Sequence, residues 1–96
     1  MTKHIILEKL RQIKPQLHKD FSVTELALFG SYARNEQTPQ SDIDVLIKLD
    51  ESTYKNLCNT AYALYELFPD HKVEIVSIDA INTRYFTYVK PDLQYV

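Results

Sequence analysis

Apolar residues fall at helical spacing near the start of the chain. Ile6, Leu10, Ile13 and Leu17 recur at steps of four, three and four, which places them on one stripe of a helix. Thr2 stands where a hydroxyl can cap the first turn. Pro15 interrupts the pattern, so the helix either ends near Lys14 or continues, kinked, to about Lys19. Val23 to Phe29 then reads as a strand. Its end, Leu26-Ala27-Leu28-Phe29, is apolar at every position, as expected of a strand central in its sheet. Gly30-Ser31 breaks it, Ser31 to Arg34 can open a short helix, and the polar stretch Asn35 to Gln40 reads as loop.

Strict alternation follows. Ile43, Val45, Ile47 and Leu49 share one face of a second strand; Asp42, Asp44, Leu46 and Lys48 share the other. Asp50-Glu51-Ser52 offers capping oxygens. Leu57, Ala61, Leu64 and Phe68 predict a helix over 53–68, stopped by Pro69-Asp70. On that helix Tyr54, Tyr62 and Tyr65 read as boundary residues and Cys58 as a small core residue. Lys72 to Ser77 is a third strand, with Val73 and Ile75 opposite Glu74 and Val76. Ile78 to Val89 predicts one or two short helices, and Lys90 onward an extended tail. This order implies an α/β fold: a small mixed sheet with flanking helices, in a single domain over 1–96.

Composition narrows the function. The longest apolar run is Leu26 to Phe29, far short of the roughly 18–20 residues of a membrane span. The start of the chain does not resemble a secretory signal, and the one cysteine, Cys58, cannot pair within the chain. Both point to a reducing cytoplasm. The net charge of −2 argues against direct nucleic-acid binding by bulk charge. Residues 1–20 carry five Lys/Arg against two acids; a solvated helix face explains this, and a rim for a polyanion is the alternative. His4, His18 and His71 share no metal-ligand spacing.

Three features carry chemistry. Gly30, the only glycine, sits with Ser31 between a buried strand and a helix start, where free backbone N–H groups and the absence of a Cβ favour a phosphate. Asp42 and Asp44 lie two apart on one strand face, with Cα atoms roughly 6.5–7 Å apart. Like charges this close call for solvent or a bridging cation, and Mg²⁺ prefers such oxygens together with substrate phosphates. Glu74 sits mid-strand among β-branched residues. If its strand pairs beside Asp42–Leu49, Glu74 joins the carboxylate face as a metal ligand or a base.

Phe29-Gly30-Ser31-Tyr32-Ala33-Arg34, followed by Ser41-Asp42-Ile43-Asp44-Val45-Leu46-Ile47, resembles the signature of the DNA-polymerase-beta-like nucleotidyltransferases. Ten residues separate Ser31 from Asp42. The likeness is to the minimal branch, the stand-alone MNT domains of MntA type, and covers residues 20–78 well. The resemblance implies roles: Gly30 and Ser31 hold nucleotide phosphates, Asp42 and Asp44 ligate Mg²⁺, and Glu74 supplies the third carboxylate. It gives Arg34 either a phosphate contact or a structural salt bridge. It further implies an antitoxin that transfers AMP from ATP to a hydroxyl, a tyrosine, of a partner HEPN-domain toxin. Two positions depart from the family pattern: Glu74 replaces the usual Asp, and Asn35 stands where Gly is common. Two other readings are weighed beside this one. The chain could neutralise its partner by contact alone, or modify a small molecule such as an aminoglycoside. Relatives of the latter kind generally carry an added helical domain.

Overall fold

The computed structural model describes residues 1–96. Helix α1 (Lys3–Phe21) leads to strand β1 (Val23–Phe29), the single turn α2 (Gly30–Ala33) and strand β2 (Ile43–Leu49). Helix α3 (Tyr54–Leu67), strand β3 (Val73–Ser77) and helix α4 (Thr83–Val89) follow. A 3₁₀ turn, Lys90–Asp92, delivers the chain to the short strand β4 (Gln94–Tyr95).

The sheet order is β3-β2-β1-β4. β1 and β2 are antiparallel, with Leu28 opposite Val45 and Phe29 opposite Asp44. β2 and β3 are parallel, with Asp44 opposite Glu74, a connection that needs a crossover, here α3. β1 is central and buried on both faces, as its apolar run predicts.

Each face of the sheet packs a different layer. Leu26, Leu28, Ile43, Val45 and Ile47 meet Ile6, Leu10 and Leu17 of α1 and Leu64 of α3 in the main core. Ala27, Phe29 and Leu46 form a smaller core with Val89 of α4, flanked by Phe86 and Leu93. The alternation along β2 produces this division, because successive side chains point to opposite faces. Asp42 and Asp44 therefore belong to the α4 side.

Several local expectations need correcting. At Pro15 the second of the two readings holds: α1 continues through the proline, to Phe21 rather than Lys19. Buried Leu17 carries the apolar stripe past the proline. Helix α1 ends because Ser22 turns left-handed, at φ 68°, and its N–H bonds back to His18 and Leu17 carbonyls. Thr2 caps α1 as expected, accepting from Ile5 N. Thr53 caps α3, not the Asp50–Ser52 run, by accepting from Asn56 N at 3.1 Å. Cys58 is exposed rather than in the core. One residue past Leu57 is about 100° around the helix, so Cys58 joins Tyr54, Tyr62 and Tyr65 on the outer face. Those tyrosines are exposed, beyond the boundary position their type suggests. Buried Thr60 takes the core position instead, with its hydroxyl donating to Asn56 O at 2.7 Å. The tail beyond Lys90 is not merely extended. Leu28 pairs with Gln94 and Ala27 with Tyr95, and Val96 N donates to Leu26 O at 3.0 Å. No helix is long and apolar enough to cross a membrane.

Candidate active site

The end of β1 sets the site. Phe29 is buried in the smaller core, which fixes where the chain must leave the sheet. Gly30 then takes φ +77°, a conformation that costs an L side chain energy but glycine almost nothing. A second constraint acts at the same atom. A Cβ on Gly30 would collide with Asp44 Oδ2 and lie 3.0 Å from Asp44 Cγ. The only glycine of the chain is thus required twice, once for its backbone angle and once to leave room for a carboxylate. Ser31 follows on the single turn of α2, and Arg34 caps that turn. Asn35 adopts φ 59°, the left-handed backbone expected where the family pattern has glycine.

β2 and β3 bring the acids in. Because Asp44 and Glu74 are register partners on parallel strands, their side chains leave the same face at the spacing of adjacent strands, about 4.8 Å. Burial, together with the Glu74 and Asp42 charges, pushes the Asp44 carboxyl up from 3.8 to about 6. A hydrogen bond with Glu74 also favours its protonated form. Arg34 opposes the shift and does not cancel it.

A cleft of about 280 Å³ opens over these groups. Gly30, Ser31 and Arg34 line one side, Asp44 and Glu74 its floor, and Tyr85, Tyr88 and Asp92 the α4 side. Arg34 bonds Asp92 at 2.7 Å and Glu36 at 3.1 Å, so the salt-bridge alternative for Arg34 is realised. Asp42 is not among the lining residues. Its carboxylate pairs with exposed Lys72 at 3.8 Å, although its charge reaches Asp44. Five of the six residues singled out from the sequence therefore line one cleft, and the sixth stands beside it.

Tyr85, Tyr88 and Asp92 were not foreseen. Nothing in their local spacing distinguishes them; they arrive only because α4 folds over the sheet. Burial, with the Glu74 and Asp44 charges added, raises the Tyr85 phenol above its ordinary value. A larger groove, about 490 Å³, lies between α1 and α3 on the opposite layer, and none of the six residues lines it.

No group of three His, Cys, Asp or Glu side chains converges tightly enough to hold a metal by itself. The donor set nonetheless suits a hard divalent cation. Asp44 and Glu74 supply adjacent carboxylate oxygens with excess negative charge, and Mg²⁺ is typically bound by one or two carboxylates plus substrate phosphates.

The sequence pattern of the nucleotidyltransferase domain matches residues 7–93. The chain belongs to the nucleotidyltransferase domain family. It is similar to a Methanocaldococcus jannaschii protein provisionally named protein adenylyltransferase MJ1379, with 36% identity over 94 residues, 95% of this chain and 94% of that one. A solved structure provisionally named a minimal nucleotidyltransferase superposes with TM-score 0.79 at 25% identity, covering 98% of this chain and 95% of the other. The fold also matches a structure of a tri-AMPylated Shewanella oneidensis HEPN toxin in complex with MNT antitoxin. There the TM-score is 0.58 at 20% identity, over 97% of this chain and 66% of that one. This chain is a minimal nucleotidyltransferase, and its enzyme class is nucleotidyl transfer.

Proposed function

We propose that this nucleotidyltransferase is an antitoxin that transfers AMP from ATP to a tyrosine hydroxyl of a partner HEPN-type toxin. The observation that carries the reading is the pairing of Asp44 with Glu74 beside a glycine whose missing Cβ leaves the carboxylate room. Relatives named for protein adenylylation, and the AMPylated toxin bound to an MNT antitoxin, support the substrate and the partner.

In this reading Gly30 and Ser31 hold the phosphates of ATP through backbone N–H groups and the Ser31 hydroxyl. Arg34 supplies positive charge beside them. Asp44 and Glu74, with Asp42 alongside, would hold Mg²⁺, which supplies neutralisation of phosphate charge when bound. The acceptor phenol oxygen attacks the α-phosphorus in line with the bond to the β-phosphate oxygen. A P–O bond to the acceptor forms, the α–β bond breaks, and pyrophosphate leaves. The phenol proton passes to Glu74, whose position in the cleft suits a base. Glu74 is one methylene longer than the family's aspartate, and its exposure leaves it free to reach.

The test is transfer of label from α-³²P-ATP with Mg²⁺, using the chain co-purified with the protein it captures from its own host. Label should appear on the captured protein, and Asp42→Asn/Asp44→Asn should reduce it by at least about two orders of magnitude, the scale of one lost electrostatic stabiliser. Asp42 lying outside the cleft, paired with Lys72, favours one rival: neutralisation by contact alone. In that case the double variant still protects cells, and a stable complex carries no label.

A further inference from the structure

One ion pair joins the nucleotide turn to the far end of the chain. Arg34 Nη1 donates to Asp92 Oδ2 at 2.7 Å, across 58 residues of sequence. Arg34 Nε donates to Glu36 Oε2 at 3.1 Å. The two acids stand in different places. Asp92 lines the cleft and its side chain is only 20% exposed, whereas Glu36 lies outside the lining and is 66% exposed. Glu36 therefore holds Nε, and Asp92 holds one of the two terminal nitrogens, Nη1, within the cleft.

This arrangement conflicts with nucleotide binding as it stands. Arg34 is the only basic side chain lining the cleft, against Asp44, Glu74 and Asp92. A guanidinium binds a phosphate best through two parallel N–H donors; with Nε held by Glu36, that pair is Nη1 and Nη2, and Nη1 is engaged by Asp92. Resting on the nucleotide reading above, we propose that Asp92 competes with the nucleotide's phosphates for Arg34. Asp92 is then a positioning residue that sets nucleotide affinity. It parks Arg34 beside the cleft, yields it when a polyphosphate enters, and recaptures it when the phosphates leave. Glu36 keeps the Nε edge throughout, so the guanidinium pivots rather than disengages. Asp92 sits on the 3₁₀ turn between α4 and β4, and the ladder between β4 and β1 runs through Gln94 and Tyr95, not through Asp92.

Calorimetric titration of the full chain with a non-hydrolysable ATP analogue and Mg²⁺ tests this. Asp92→Asn should tighten binding several-fold, and Arg34→Gln should weaken it. In the Arg34→Gln background, Asp92→Asn should change nothing further. Glu36→Gln should not tighten binding. Weaker or unchanged binding by Asp92→Asn overturns the proposal, and so does equal tightening in both backgrounds, which would mean simple repulsion by the Asp92 charge. The wild-type chain provides a reading that needs no variant to fold: the Asp92 carboxyl ¹³C resonance should shift when the analogue is added. A resonance that stays still during saturating binding also overturns the competition. If the wild-type chain binds no analogue at all, the nucleotide reading itself fails, an outcome distinct from binding that is indifferent to Asp92.

Discussion

Gly30 is the residue on which the site turns. Its φ of +77° alone makes any other residue unfavourable, at about 1–3 kcal/mol for such strain. The predicted clash with the Asp44 carboxylate adds a penalty that depends on Asp44 being there. Gly30→Ala should therefore lower the melting temperature and abolish analogue binding. Replacing Asp44 by glycine in the same chain should restore part of the stability and none of the binding. Thermal melts of Gly30→Ala against wild type and of the double variant against Asp44→Gly alone check this, since backbone strain alone would leave the Gly30→Ala penalty the same in both backgrounds. Gly30, Ser31, Asp44 and Glu74 were legible in the sequence because their types are chemically unusual at those places: the only glycine, and acids spaced by two on an apolar strand. Asp92 was not, because one acid in a polar tail carries no local signal.

At the scale of elements, the hydrophobic pattern specified most of the boundaries, and at Pro15 it left two outcomes open that tertiary packing decided. Pro15 removes an N–H from α1 and crowds the preceding turn, yet the helix continues because Ile13 and Leu17 remain packed against the core. Tertiary burial outweighs the local penalty. Exposed Pro15 should then be a site of stored instability. Pro15→Ala should raise stability by about 1–3 kcal/mol, the helix-interior cost of proline, without changing analogue affinity. Urea denaturation beside a binding titration measures both. The C-terminal segment shows the reverse. Gln94 and Tyr95 have no strand pattern of their own, and they become β4 only because β1 offers an unpaired edge.

For the whole molecule, the acid pair of the candidate site makes stability depend on pH. Asp44 holds its proton to about pH 6 in the fold but releases it near pH 4 when unfolded. Between those values the folded chain binds more protons than the unfolded one, so stability falls as pH rises from about 4 to about 6. Above pH 6 the fold carries an uncompensated charge, worth roughly 1 kcal/mol once solvent screening of a half-buried carboxylate is allowed for. Asp44→Asn should therefore be more stable than wild type at pH 7.5 without metal, with the difference vanishing toward pH 4. Added Mg²⁺ should close the gap at pH 7.5 by stabilising wild type alone. Denaturation curves across this pH range, with and without Mg²⁺, decide it.

Sequence by itself determined the order of elements as far as α4, the two faces of β2 and the chemistry of the turn after β1. These follow from periodicity and from residue type, which act over a few neighbours. Tertiary structure decided the rest. It placed Glu74 beside Asp44 through the parallel register, turned Asp42 toward Lys72, and brought Tyr85, Tyr88 and Asp92 over the cleft. Those positions depend on how strands pair and on which face α4 covers. Both are set by burial of surfaces far apart in the chain, and no short stretch of residues encodes them.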